Sequence, residues 1–282
     1  MAKAIMIQGT ASGVGKTILT LALCRIFKQD GYSVAPFKAQ NMTTNTYLTK
    51  NGDEIAISQW LQGLAAGVEP TIDMNPIVLK PPFAFLRNAD RDTRLETIMG
   101  AYARLRDKYD VIVIEGAGSP TELNLNKDDM VNMGMAKRAK APVLLLSDID
   151  RGGIFASLYG TIALMKASEN VLIKATIVNR FRGDVTHFAD GVKILEDITK
   201  LPVAGVIPYT DINLPEEDNL FHNEKATKTT DFENQFDRIA DNVRKHLDMK
   251  LVYDILNRGV EEYCEHSFAV TAMKEAPNGK QP

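Results

Sequence analysis

The sequence predicts an α/β protein, a mostly parallel sheet flanked by helices with a C-terminal helical appendage. Three observations carry that expectation. Through the first two hundred residues, short β-branched runs alternate with longer amphipathic stretches, the pattern of repeated βα units. Val111–Ile114 and Val143–Leu146 are continuously apolar rather than alternating, as central parallel strands covered on both faces must be. Between the first strand and the first helix lies a glycine-rich segment, Gly9–Thr17.

Taken in chain order, the runs predict strands near 3–8, 33–38, 76–80, 110–115, 142–147, 174–179 and 203–207. Helices are expected between them, near 15–29, 54–67, 92–107, 128–139, 153–166 and 188–199. After Leu214-Pro215-Glu216-Glu217-Asp218 the character changes, and 223–230 is polar without periodicity. A boundary is therefore expected there, with one domain over 1–222 and a linker and helical appendage over 223–282. Phe232, Phe236, Ile239, Val243, Leu247, Leu251 and Ile255 recur at three- and four-residue steps, which predicts one helix stopping near Gly259. Its apolar stripe must pack on the core or form a dimer contact. The methionines of 130–135 read as core filler, because Met packs irregular gaps well.

Composition excludes several functions. With 33 Lys+Arg against 36 Asp+Glu over 282 residues, there is no basic excess of the kind that nucleic acid attracts, so no nucleic-acid partner is expected. No apolar run approaches the roughly 20 residues that span a bilayer, and Met1-Ala2-Lys3 leads into the glycine-rich loop without a secretory signal, so the expectation is a cytoplasmic protein with no membrane partner. Cys24 and Cys264 then read as reduced thiols rather than a disulfide.

Gly9-Thr10-Ala11-Ser12-Gly13-Val14-Gly15-Lys16-Thr17 has the setting and the Gly-Lys-Thr ending of a P-loop. Backbone N–H groups at a helix N-terminus point at phosphate oxygens, and glycines let the chain approach closely. Lys16 is expected to reach the β- and γ-phosphates of ATP, and the Thr17 hydroxyl to ligate Mg²⁺. The loop is a variant, with Thr10 where the common pattern has its first glycine and Gly9 one place earlier.

Two acidic positions suit a metal-bound triphosphate. Glu115 ends the apolar strand at the carboxyl edge of the sheet, where ligands of open α/β folds bind, although a carboxylate capping the next loop would look the same. Asp53 and Glu54 open the helix expected at 54–67; Glu54 is a candidate metal ligand, and the helix dipole alone would also favour it.

Further blocks carry a family resemblance. They are Phe37-Lys38-Ala39-Gln40-Asn41-Met42, Glu54-Ile55 with Gln59, Ala65-Ala66-Gly67-Val68-Glu69-Pro70, Asp73-Met74-Asn75-Pro76 and Glu115-Gly116-Ala117-Gly118-Ser119-Pro120. Asn132-Met133-Gly134-Met135, Asp148-Ile149-Asp150-Arg151-Gly152-Gly153, Asn179-Arg180-Phe181-Arg182-Gly183-Asp184 and Leu214-Pro215-Glu216-Glu217-Asp218 follow in order. Together they closely resemble the cobyric acid synthases, in their N-terminal, dethiobiotin-synthetase-like P-loop NTPase domain, over about residues 3–223.

The resemblance implies a corrinoid substrate, adenosylcobyrinic acid a,c-diamide, whose peripheral carboxylates are phosphorylated by ATP and then amidated by ammonia. Phosphoryl transfer asks the protein mainly for positioning and charge neutralisation, which Lys16, Mg²⁺ and a further cation would supply. Lys38 matches the family's lysine and is the candidate for the transferring phosphate or the substrate carboxylate, against the alternative of a solvated strand-end lysine. The resemblance places Asp148, Asp150 and Arg151 beside the substrate, where the planar guanidinium suits a carboxylate or acyl phosphate; an Asp–Arg pair that only fixes the loop is the alternative. Asn179, with Pro208 as a weaker neighbour, matches the position that contacts the nucleotide base in such folds. A homodimer is also implied.

The chain departs from the family in three ways. No cysteine or histidine stands in the setting of the family's glutaminase domain, so ammonia is expected to come free or from a separate glutaminase. The appendage resembles the last helix of full-length members, joined here directly to the first domain. After Lys80 the family's polar loop is replaced by Pro82-Phe83-Ala84-Phe85-Leu86-Arg87. These departures leave open a non-catalytic nucleotide-binding remnant of such a synthase. A small-carboxylate ligase fits the corrinoid-type blocks less well, and a partitioning-type ATPase would need a second lysine early in the loop that is absent.

Overall fold

Lys3–Gly9 (β1) enters the glycine-rich loop, and Lys16–Gln29 (α1) leaves it. Val34–Phe37 (β2) returns to the sheet, followed by three short strands, Gln40–Met42 (β3), Thr46–Leu48 (β4) and Glu54–Ala56 (β5), and then Ile57–Ala65 (α2). Ile77–Leu79 (β6), Arg91–Lys108 (α3), Val111–Glu115 (β7), Met133–Ala139 (α4) and Val143–Asp148 (β8) come next. Ile154–Leu164 (α5), Ala167–Asn170 (α6), Ile173–Phe181 (β9), Ala189–Thr199 (α7) and Val203–Pro208 (β10) complete the first part, and Thr230–His246 (α8) and Met249–Arg258 (α9) the second. This computed structural model describes residues 2–80, 91–124, 129–212, 214–215 and 230–260, without the side chains of 230 and 231. The segment expected to replace the polar loop after Lys80, the linker, Cys264, His222 and His266 lie outside the described residues.

Six strands form one parallel sheet in the order β10-β9-β8-β1-β7-β2. The sheet is an α/β sheet of the P-loop NTPase kind, with β1 and its loop between β7 and β8. Because successive side chains of a strand point to opposite faces, Ile5, Ile7, Val111, Val113, Leu144 and Leu146 enter one core with α1 and α2. Met6, Ile112, Ile114, Val143 and Leu145 enter the other, under α3, α4, α5 and α7. Met130, Met133 and Met135 are buried in that second core.

Three expectations about elements are corrected. The strand at 76–80 forms but lies outside the main sheet, pairing with β3. The helix expected from residue 54 begins at Ile57, because Glu54–Ala56 pairs antiparallel with β4 instead. The expected start of α4 at 128 moves to Met133.

The appendage is two helices rather than one. Between them Leu247 bridges to Gly205 and the Asp248 amide donates to the Ala204 carbonyl at 2.7 Å, so the chain pairs with the free edge of β10 and cannot continue as helix. Only glycine permits the approach, since a Cβ on Gly205 would stand 2.1 Å from the His246 carbonyl. Asp248 then caps α9, accepting from Leu251 N at 3.0 Å. Phe232, Phe236, Ile239 and Val243 of α8 are buried in the same core as α1. Arg25 of α1 bonds Asp237 at 2.7 Å and Glu233 at 2.8 Å, and Arg244 bonds Asp30 at 2.9 Å. Trp60 of α2, the chain's one tryptophan, stacks on Tyr47 with ring centroids 4.1 Å apart and meets Phe232 of α8 edge-on at 6.1 Å. Among the described residues, no helix is long and apolar enough to cross a membrane.

Candidate active site

The 9–17 loop is shaped by its own residues. A Cβ on Gly9 would lie 2.5 Å from Val14 Cγ2, so the loop can fold over that position only if it is glycine. Gly13 and Gly15 adopt φ of 73° and 104°, the left-handed region that favours glycine. Thr10 fits the variant position through a 2.8 Å hydrogen bond between its hydroxyl and that of Ser147 on β8. Lys16 Nζ donates to the carbonyls of Ala11 and Gly118, each at 2.9 Å, which draws the side chain back across the loop. Asn179, two residues before the end of β9, donates its Nδ2 to the Val14 carbonyl at 2.8 Å and so clamps the loop from the other side.

Glu115 is the centre of a buried network, with 1% of its surface exposed. Its Oε1 accepts from Thr17 Oγ1 at 2.9 Å and from Lys38 Nζ at 3.0 Å. Its Oε2 accepts from Gln62 Nε2 at 2.6 Å and from Gln59 Nε2 at 3.4 Å. Burial alone would raise the Glu115 carboxyl, but the charge of Lys38, the hydrogen bonds from Gln62 and Lys38 and the charge of Lys16 hold it below the usual carboxylate range. Lys38 is buried, and its backbone is fixed by Met74 and Asn75. It is thus no solvated strand-end lysine. Asn132, itself held by Asp129, bonds both the amide and the carbonyl of Ala117 and fixes the loop after Glu115.

On the other flank, the Asp148 and Asp150 carboxylates pair across strands. Asp148 Oδ1 accepts from the Asp150 amide at 2.7 Å and Oδ2 from Arg180 Nη1 at 3.0 Å. Asp150 pairs with Arg182, whose guanidinium lies 3.9 Å above the Tyr209 ring. The hydrogen bonds from Arg182, outweighing a slight desolvation, hold the Asp150 carboxyl low. The partners are Arg180 on β9 and Arg182 just after it, and Arg151 is exposed on the cleft with no hydrogen bond or ion pair to either carboxylate among the described residues.

A cleft of about 900 Å³ joins these parts. Ser12, Gly13, Gly15, Lys16, Thr17, Lys38, Glu115, Arg151, Asn179 and Pro208 line it. Asp148 and Asp150, expected beside the substrate, do not line it, nor do Gly9, Thr10 and Val14. Glu54 does not either: its carboxylate is half exposed on β5 and paired with Lys80, because a strand rather than a helix start forms there. The sequence reading missed Gln62 as a Glu115 partner and Arg180 as a cleft residue; amides on a helix look like surface, and Arg180's φ of 60° has no signature in the residue type. Cys24 is fully buried on α1, and burial pushes its thiol far up, which makes it inert.

A family model described as an AAA domain matches residues 3–216. Curated proteins named cobyric acid synthase are similar: one from Dehalococcoides mccartyi strain CBDB1 is 49% identical over 242 residues, covering 79% of this chain and 48% of its own length. Another, from Listeria monocytogenes serovar 1/2a, is 48% identical over 242 residues, covering 80% of this chain and 47% of its own. The chain thus spans about half the length of the curated relatives it matches. Among solved structures, the MinD cell division protein of Aquifex aeolicus aligns with a TM-score of 0.46 at 15% identity, over 86% of this chain and 96% of that one.

Proposed function

The chain belongs to the AAA-domain family as the dethiobiotin-synthetase-like part of a cobyric acid synthase, and from that premise we propose that it uses ATP to phosphorylate a corrinoid carboxylate for amidation. The observation that carries the reading is the convergence of Lys16, Thr17 and Lys38 with the buried Glu115 at the mouth of the 9–17 loop. Loop amides and Lys16 bind the phosphates, and Lys38 adds a second cation where negative charge develops on transfer.

The residues present fit a magnesium ion. Thr17 and Glu115 supply a hydroxyl and a low-titrating carboxylate 2.9 Å apart at the sheet's carboxyl edge, a hard-oxygen pair of the type Mg²⁺ takes beside phosphates. Thr17 and Glu115 would hold it, and when bound it neutralises phosphate charge. Arg151 and Arg180 line the same cleft and present planar donors suited to a substrate carboxylate. Ammonia, free or from a separate glutaminase, then displaces phosphate from the acyl phosphate to leave the amide.

The test is ADP release by the purified chain with Mg-ATP and ammonium, with and without adenosylcobyrinic acid a,c-diamide, followed by mass spectrometry of the corrinoid. Corrinoid-dependent ADP and replacement of hydroxyl by amine are expected, both abolished in Lys16→Ala. ATP binding with no product would reject the catalytic reading and leave a nucleotide-binding remnant.

A further inference from the structure

Lys38 and Glu115 stand on the β2–β7 side of the loop, so a nucleotide with its terminal phosphate toward them directs its nucleoside to the opposite side. There the cleft is walled by Pro208 and Thr210 after β10 and by Ile239, Asn242 and Val243 of α8. The cleft edge of two largely buried aliphatic side chains beside one amide is the kind of wall a purine takes. We propose that α8 completes the nucleoside subsite and that the Asn242 side-chain carbonyl selects adenine over guanine. The inference rests on the nucleotide reading above and extends it to a helix that lies beyond the matched 3–216 region.

The hydrogen-bond polarity supplies the direction. Thr210 Oγ1 donates to the Pro208 carbonyl at 3.4 Å, a group that can only accept. The same hydroxyl oxygen therefore accepts from Asn242 Nδ2, 3.0 Å away. That orients the amide and leaves Oδ1 as an acceptor with no hydrogen bond among the described residues. Adenine presents an amino donor at its six-position where guanine presents a carbonyl oxygen. An acceptor fixed in this way bonds the first and repels the second. Asn242 is set in place by α8, which is held to α1 by the Arg25 and Arg244 pairs and by its buried phenylalanines.

The test is calorimetric titration of Mg-ATP, Mg-GTP and inorganic tripolyphosphate into the full chain and into Asn242→Ala and Asn242→Asp. The unaltered chain is expected to bind ATP more tightly than either GTP or tripolyphosphate. Asn242→Ala should weaken ATP about tenfold, the scale of one lost hydrogen bond, leave tripolyphosphate unchanged and erase the preference over GTP. Asn242→Asp, which keeps an acceptor oxygen, should retain the preference. An unchanged ATP-to-GTP ratio in Asn242→Ala overturns the proposal, as does a parallel loss of tripolyphosphate, which would mark Asn242 as a residue of the fold alone. ATP binding no tighter than tripolyphosphate in the unaltered chain overturns this inference while sparing the phosphate loop. Failure of all three ligands to bind overturns the nucleotide reading with it.

Discussion

On the β2–β7 flank of the phosphate loop, Lys38 and Glu115 pair at 3.0 Å with 7% and 1% of their side chains exposed. On the β8–β9 flank, Arg182 and Asp150 pair with 59% and 28% exposed. Both are acid–base contacts at strand ends, yet water screens one and not the other. The exposed pairs brace a turn and cost little to lose. In the buried pair each charge offsets much of the other's desolvation, and Thr17, Gln59 and Gln62 add hydrogen bonds to the carboxylate, so removing either member leaves the other without its charged partner in a poorly hydrated place. Such a network holds the lysine and the carboxylate in place before a ligand's charge arrives.

The comparison can be broken first at Glu115. Glu115→Leu should lower the free energy of unfolding by about 3–5 kcal/mol, read from urea denaturation, because Lys38 loses its buried carboxylate partner; an unchanged midpoint would place the pair with its exposed counterparts. Acid sharpens the same contrast. The folded Glu115 carboxyl titrates below its unfolded value, so its stabilisation is complete above about pH 4.3 and is lost as the pH falls through the lower folded value. Glu115→Gln should remove that part of the acid transition, whatever the variant's stability at neutral pH.

On the other flank the effects shrink. Arg180→Ala should cost about 1 kcal/mol, since Asp148 keeps its bond from the Asp150 amide. Arg180→Gly should cost less than the alanine variant, because glycine takes a φ of 60° without strain. For Asp150→Asn no resolvable shift in the urea midpoint is expected at moderate salt; a clear shift would show that the Arg182 contact on Tyr209 depends on the carboxylate.

Legibility in the sequence followed the range of the signal. The parallel core strands were readable because Val111–Ile114 and Val143–Leu146 have no polar alternation, and the loop because glycine, lysine and threonine fall at fixed offsets between strand and helix. Asp248 carried a capping signal, but the three- and four-residue apolar spacing runs unbroken across Leu247, and pairing with β10 is a long-range event that spacing cannot show. Glu54 misled for a similar reason: a carboxylate before a helix looks the same whether it is in the first turn or in the strand that precedes it. Gln59 and Gln62 face Glu115 only because α2 packs beside α1 and β2; the family resemblance picks out Gln59, and nothing local marks Gln62.

Trp60 sits on α2 beside Gln59 and against Phe232 of α8, between the carboxylate network and the C-terminal helices. A single indole at that junction makes the chain its own optical gauge. Its emission, excited apart from the tyrosines, senses a shift of α2 or α8 within ring-contact distance, so occupancy of the cleft and docking of the appendage can be followed in the unlabelled protein.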